Sequence, residues 1–139
     1  MKTIIAGAGS DLGVHIDGAH LGPIQLLNDL KSFYKGESFV LVQNEEIIKS
    51  RNLSDRRTNE YEIDKFNTEL YKKILEKVQD GYFPITIGGD HSIAVASALA
   101  SAKVHGNIGI IWFDAHTDFN TFDTTVSGNI HGLPLAAIT

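Results

Sequence analysis

Short apolar runs, each followed by glycine or polar residues, constrain the fold of this chain more than any other feature. They lie at residues 3–6, 39–42, 84–87 and 108–113, and the last run is the most apolar. The runs are mostly continuous rather than alternating, which is typical of strands buried on both faces of a parallel sheet. The predicted fold class is therefore α/β, a three-layer arrangement in which helices cover both faces of a parallel sheet.

Segments between these runs supply the helices. From about residue 60 to 80 the apolar positions recur at steps of three and four, and Gly81 follows as a stop signal. Another helix is predicted to begin near Pro23, and Ser92 is predicted to cap a helix that ends at about residue 103. Residues 44–60 are polar and are predicted to form a solvated loop.

Composition limits the classes of protein to which the chain can belong. It has 139 residues, a formal net charge of −5 and no cysteine. One domain over residues 1–139 is expected at this length, and the lack of cysteine excludes disulfide scaffolds and thiol chemistry. The acidic balance argues against nucleic acid or an anionic membrane as a partner. No apolar run approaches the ~18 residues of a membrane span, and no secretion signal is evident, so a cytoplasmic location is expected.

The strongest chemical signal is the sequence Asp-Ala-His-Thr-Asp at residues 114–118, directly after the last apolar run. In an extended chain Asp114, His116 and Asp118 point to the same side, about 6–7 Å apart. Two carboxylates and an imidazole that converge beside an apolar strand are costly unless a metal ion neutralises them. The alternative interpretation is a surface turn rich in acidic and histidine residues.

A second polar group, Gly-Gly-Asp-His-Ser at residues 88–92, follows the preceding apolar run. Alone, it is equally typical of a capped helix start with an incidental His91. Because both groups end consecutive predicted strands, they are expected to lie side by side, and together they favour a metal site. Imidazole and carboxylate ligands without sulfur suit Mn²⁺, with Zn²⁺ or Fe²⁺ as alternatives. Asp114 and Asp118 are candidates to bridge two ions about 3.5 Å apart.

A loop signal at residues 127–132 forms the third element. His131 is a candidate proton carrier, because imidazole exchanges protons near neutral pH. Asn120, Ser127 and Asn129 could hydrogen-bond the polar end of a substrate, although each alone is more typical of an ordinary turn.

These three elements resemble the ureohydrolases, and the arginases among them in particular, in motif, order and spacing. The motifs are Gly-Gly-Asp-His-Ser at 88–92, Asp-Ala-His-Thr-Asp-Phe-Asn at 114–120 and Ser-Gly-Asn-Ile-His-Gly at 127–132. Thr117, Asn120 and the third motif look like arginase rather than agmatinase or formimidoylglutamase. The resemblance implies an arginase-like fold and a hydrolase with two Mn²⁺ per complete site, which converts L-arginine to L-ornithine and urea.

The resemblance also implies roles for single residues. The implied metal ligands are His91, Asp114, His116 and Asp118. Asp114 would bridge the two ions. His131 would be the proton shuttle and, with Asp118, is an implied catalytic residue. The implied ligands of the substrate's α-carboxylate are Asn120, Ser127 and Asn129.

The resemblance covers only the N-terminal half of a family member. A later Asp-x-Asp motif of the family, which supplies two further metal carboxylates, has no counterpart in these 139 residues. The chain is therefore expected to be truncated at its C-terminal side. We expect weak or absent pairing of Mn²⁺, little or no activity of the isolated chain, and poor solubility caused by an exposed sheet edge. The trimers or hexamers of the family are expected only for a full-length chain.

Three alternatives remain open from the sequence. Agmatinase or another ureohydrolase would share the metal site and differ in substrate, whereas a non-catalytic truncated remnant would not bind metal. The glycine-rich residues 6–13 faintly resemble a dinucleotide-binding loop, but the third glycine is one place late and no acidic partner follows at the right distance. His15 and His20 beyond it are predicted to be exposed loop residues.

Overall fold

A three-stranded parallel sheet forms the centre of the protein, whose computed structural model describes residues 1–46 and 59–139. The strands are β1 Lys2–Gly9, β2 Glu37–Val42 and β3 Tyr82–Gly88, in the order β2-β1-β3. Ala6 of the central strand lies opposite Phe39 of β2 and Thr86 of β3. Three of the four predicted strands are thus confirmed. The loop predicted at 44–60 lies mostly outside the described residues.

Helices cover both faces of this sheet. They are α1 Gly22–Leu30, α2 Glu60–Gln79, α3 Ala94–His105 and the short α4 Pro134–Ile138. On one face α1 approaches β1 so closely that a Cβ on Gly7 would lie 2.8 Å from Leu27 Cδ1. Ala6 and Ala8, which point to the opposite face, pack against α2 and α3. The predicted three-layer α/β fold is confirmed. Within the described part of the chain, no helix is long and apolar enough to span a membrane.

The hydrophobic core lies between β1 and the pair α2 and α3. All apolar positions of the predicted α2 stripe are buried, namely Ile63, Phe66, Leu70, Ile74 and Val78. Burying one such side chain stabilises the fold by about 1.5–3 kcal/mol relative to exposure. Gly81 follows α2 with a φ of 81°, a left-handed conformation that favours glycine, so the predicted helix end is confirmed.

The start of α3 differs from its prediction. A 3-10 turn, His91–Ile93, precedes the helix, and Asp90 rather than Ser92 caps this turn. Asp90 Oδ1 accepts a hydrogen bond from the Ser92 N–H at 2.8 Å. The prediction of Ser92 as the cap is wrong because the extended backbone that a capping residue needs occurs at Asp90, with φ −84° and ψ 165°.

The apolar segment 108–113 does not belong to the sheet. Among the described residues no strand pairs with it, and none pairs with the second edge of β3. Its side chains are largely exposed, Ile111 at 82% and Phe113 at 94%. A cavity of about 760 Å³ is lined by both β3 and this segment. The prediction of a fourth strand at residues 108–113 is therefore wrong. An apolar run indicates that burial is favourable, but strands that follow one another in sequence are adjacent in a sheet in only about two thirds of cases.

Candidate metal centre

Three of the four predicted metal ligands converge beyond the carboxyl end of β3. His91 Nδ1 lies 2.7 Å from Asp118 Oδ2 and 3.3 Å from Asp114 Oδ2. One ligand atom of each residue lies within 4.8 Å of the others. The expected juxtaposition of the two motifs is therefore present, although the segment before Asp114 is not paired with β3. Two carboxylates and one imidazole form a donor set whose negative charge a divalent cation would neutralise.

The two carboxylates have different surroundings. Asp118 is buried, with 6% of its surface exposed. Asp114 is more open, and the backbone N–H of His116 donates to its Oδ1 at 2.9 Å. This hydrogen bond is the main cause that lowers the pKa of Asp114, and nearby His91 adds a smaller effect in the same direction. Asp114 is therefore held as a carboxylate, the form that binds metal.

Local backbone geometry and an aromatic ring orient this cluster. Asp118 has a φ of 48°, a left-handed conformation that Asp and Asn tolerate better than other non-glycine residues. Its carbonyl oxygen accepts a hydrogen bond from the Leu135 N–H of α4 at 3.0 Å. Trp112 stacks on the His91 imidazole, with ring centroids 4.6 Å apart and planes at 20°. Sequence reasoning missed Trp112, although it lies two residues before Asp114 and hence on the same side of an extended chain.

His116, the fourth predicted ligand, lies outside the group of three. Its side chain is 84% exposed, and its Nδ1 lies 3.7 Å from Asp114 Oδ1. Asp114 thus faces His91 with one carboxylate oxygen and His116 with the other. A carboxylate that faces two imidazoles from separate oxygens is suited to bridge two ions.

The third motif packs beside the metal-ligand turn. His131 lies in the 3-10 turn Ile130–Gly132, which contacts the turn His91–Ile93. The Asn120 N–H donates to the Gly132 carbonyl at 3.3 Å, which joins the second motif to the third. All three motifs therefore meet at one end of the sheet.

The candidate substrate-binding side chains differ in exposure. Asn120 and Ser127 are exposed, and Ser127 Oγ accepts from the Asn129 N–H at 3.2 Å. Asn129 Oδ1 is buried and has no hydrogen-bond partner within the described residues. Because buried polar atoms are normally paired, this oxygen is an exception within the described residues.

Gly89 allows the second motif to approach the loop that follows β1. A Cβ on Gly89 would lie 1.9 Å from the Ser10 carbonyl oxygen, so no side chain fits there. The Gly89 N–H donates to Ala8 at 2.9 Å and the Asp90 N–H to Ser10 at 2.7 Å. These contacts fix the point at which His91 begins its turn.

A second buried carboxylate lies near the ends of β1 and β2. Asp11 is fully buried, and its oxygens lie 2.6 Å from His20 Nδ1, 2.5 Å from Gln43 Nε2 and 2.7 Å from the Gly18 nitrogen. Burial alone raises the pKa of Asp11, but the hydrogen bonds from His20, Gln43 and Gly18 together outweigh it and lower the pKa. His15 is exposed as predicted, whereas the same prediction for His20 is wrong because its ring is paired with Asp11.

The fold and the site together define an α/β protein with a candidate divalent-metal centre of histidine and aspartate ligands, placed at the carboxyl end of a parallel sheet. Within that class, the model of the Arginase family matches residues 1–139. The chain therefore belongs to the arginase family, and the resemblance read from its motifs is confirmed.

Relatives match this chain over about half of their length. It is 35% identical to the arginase of Bacillus subtilis (strain 168) and 39% identical to the arginase of Staphylococcus aureus (strain MSSA476). Each alignment covers 97% of this chain and 47% of the relative. The crystal structure of arginase from Bacillus cereus matches with a TM-score of 0.83 at 32% identity, covering 99% of this chain and 47% of that chain. The chain thus spans about half the length of the curated relatives it matches.

Proposed function

We propose that this chain contributes to a binuclear manganese site that hydrolyses L-arginine to L-ornithine and urea. The observation that supports this most is the convergence of His91, Asp114 and Asp118 to within 4.8 Å, in a chain of the arginase family. The sequence motifs and the family membership suggest a metal site, and the structure adds that these three side chains lie close enough to share one ion.

The donor set fits manganese, because it combines carboxylate oxygen and imidazole nitrogen without sulfur. We propose that His91 and Asp118 would hold one ion, that His116, once turned inward, would hold the second, and that Asp114 would contribute to both. The 84% exposure of the His116 side chain leaves it room to turn. When bound, the ions supply Lewis-acid activation of water at neutral pH.

The remaining site residues are proposed to bind substrate and to move a proton. Hydrolysis consumes one water, whose oxygen goes to urea and whose two protons go to the departing nitrogen, which leaves as the ammonium group of ornithine. His131 carries one of these protons on its imidazole. Asn120, Ser127 and Asn129 bind the α-carboxylate, because amide and hydroxyl groups donate hydrogen bonds to it. Exposure of Asn120 and Ser127 at the end of the sheet supports this assignment.

We also propose that residues 1–139 belong to one arginase-like domain whose site needs further ligands. The chain offers four candidate ligands for two ions, and its relatives are about twice as long. Low activity of the isolated chain is therefore expected. Trimers or hexamers are proposed only for a full-length protein.

The test joins this chain to the part of the Bacillus subtilis arginase that it does not match. Urea release is measured from L-arginine and, in parallel, from agmatine after loading with Mn²⁺. We expect arginine-dependent release that His91→Ala abolishes and that His105→Ala, at an exposed histidine of α3, leaves unchanged. A folded, Mn²⁺-bound chimera that releases no urea from arginine contradicts the proposal. Release from agmatine alone would identify the agmatinase reaction instead.

A further inference from the structure

Asp90 uses its two carboxylate oxygens on backbone groups from distant parts of the chain. Oδ1 accepts from the Ser92 N–H at 2.8 Å, and Oδ2 accepts from the Gly13 N–H at 3.0 Å. The residue is buried, with 5% of its surface exposed. Capping the turn before α3 requires only the first of these bonds. The second bond, to a residue 77 positions away, therefore needs another explanation.

Gly13 continues this connection to His131. Its carbonyl oxygen accepts a hydrogen bond from the His131 N–H at 3.1 Å. A Cβ on Gly13 would lie 2.7 Å from Asp90 Oδ1 and 3.1 Å from the His131 nitrogen. Only glycine fits between the two residues without displacing one of them.

We infer that Asp90 is a positioning residue that sets the separation between the metal ligand His91 and the proton carrier His131. The inference rests on the proposed function for the roles of these two histidines. Asp90 fixes His91 because it caps the turn that His91 begins, and it fixes His131 through the peptide groups of Gly13. Asp90 is not a member of the metal-binding group.

Such a link matters because the proton must be delivered at a fixed distance from the metal centre. A misplacement of about 1 Å at a reacting group can lower a rate roughly 100-fold. His131 and His91 lie on separate turns, 40 residues apart, so sequence proximity does not hold them together. The Asp90–Gly13 connection supplies a rigid contact between these turns.

Two variants test the link from Asp90 through Gly13 to His131. Asp90→Asn keeps one acceptor oxygen and replaces the other by an NH₂ group, which cannot accept from a backbone N–H. Gly13→Ala keeps the Asp90 carboxylate but places a methyl group 2.7 Å from Asp90 Oδ1 and 3.1 Å from the His131 nitrogen, so one of the two must shift. Asp80→Asn, at an exposed position after α2, is the matched control for the loss of one carboxylate.

The first measurement is amide hydrogen exchange on the metal-free chain of 139 residues. We expect the His131 amide to exchange about 10-fold faster in Asp90→Asn and Gly13→Ala, relative to the buried Leu70 amide of α2 in the same sample. Dividing the exchange rate of the His131 amide by that of the Leu70 amide corrects for a general loss of stability in the variant. An unchanged ratio in Gly13→Ala overturns the inference, because Asp90 would then act only as a cap.

The second measurement is paramagnetic broadening of the His131 imidazole protons by Mn²⁺ bound at the His91 cluster. Both variants should show a degree of broadening that differs from that of the wild type and Asp80→Asn, because paramagnetic relaxation depends steeply on the distance from the ion. Equal broadening in all four proteins overturns the inference. If none of them binds Mn²⁺ even when joined to the unmatched part of the Bacillus subtilis arginase, the proposed function is contradicted, while the hydrogen-exchange ratio still decides whether Asp90 joins the two turns.

Discussion

β1 and the apolar segment 108–113 are similar in sequence character but have opposite surroundings. β1 is paired along both edges and buried from Ile4 to Gly9, whereas the apolar segment has no strand partner within the described residues. Ile111 and Phe113 expose 82% and 94% of their surface. Apolar composition thus states how much an element gains from burial, and the availability of partners decides whether it is buried. Residues 1–46 and 59–139 contain strand partners for β1 and none for residues 108–113.

The candidate metal-ligand cluster, formed by His91, Asp114 and Asp118, is where these two regions meet. His91 follows β3 in the packed part of the molecule, while Asp114 and Asp118 follow the apolar segment. Their contacts hold the end of the unpaired segment against the end of the sheet. Predictions that compare the two regions therefore test both the fold and the site.

The largest effect is expected from truncating the core. Leu70→Ala should lower the free energy of unfolding by about 2–5 kcal/mol, because Leu70 is fully buried between α2 and the sheet. Ile111→Ala, at 82% exposure, should change it by less than about 0.5 kcal/mol. Urea denaturation of both variants measures the difference. Similar losses in the two would show that residues 108–113 are packed in solution.

Manganese should stabilise the chain by connecting the two regions. At about 100 times its dissociation constant, Mn²⁺ should raise the free energy of unfolding by about 2.7 kcal/mol. Asp118→Gly should remove this gain without disturbing the backbone, since glycine readily adopts the φ of 48° found there. Thermal unfolding with and without Mn²⁺ provides the measurement. A gain that survives in Asp118→Gly would place the ion elsewhere.

A pair of glycines tests the difference in packing directly. Gly89→Ala should destabilise the fold by about 1–3 kcal/mol, because its Cβ would lie 1.9 Å from the Ser10 carbonyl oxygen. Gly109→Ala in the apolar segment meets no atom within 4 Å and should be neutral or stabilising by up to about 1 kcal/mol. The measurement is the denaturant midpoint of each variant, compared with the wild type where the dependence of the unfolding free energy on denaturant is unchanged. A destabilising Gly109→Ala would reveal a contact around that residue.

The smallest effect is expected from pH. The pKa of Asp11 is lowered in the folded state by its hydrogen bonds, so its stabilising contribution is complete above the ordinary aspartate pKa. That contribution is lost as the pH falls through the folded-state pKa. Asp11→Asn should therefore flatten the acid side of the stability profile, whereas Asp114→Asn, at an exposed residue, should leave it close to wild type. Equal flattening in both variants would contradict this distinction.

The sequence correctly predicted features that depend on residue spacing and backbone preference within one element. The apolar stripe of α2 and the left-handed Gly81 follow from spacing and backbone preference, and both were predicted. The failed strand at 108–113 depends on partners that its own sequence does not specify. The predicted group of four metal ligands also included His116, and the structure brings only His91, Asp114 and Asp118 of it together. Their proximity was inferred from the pairing of two neighbouring strands, which the described residues do not show.

The supporting residues of the site were not predictable in the same way. Asp90 acts through a contact with Gly13, 77 positions away, and Trp112 through an aromatic ring in an otherwise apolar run. The Asp11–His20 pair forms within a loop, where no helix or strand periodicity places the two side chains. Sequence periodicity carries no information on such contacts. The ligands of a site are thus easier to predict than the residues that orient them.

The central position of β1 also has a consequence for how the chain is made. Its register pairs Ala6 with Thr86, so the sheet cannot be completed until 80 further residues have been synthesised. At about 5–20 residues per second, β1 leaves the ribosome roughly 4–16 s before the matching part of β3. During that interval, of the three strands, only β2 can pair with it. The strand that is best protected in the finished molecule is therefore the one that remains exposed longest during translation.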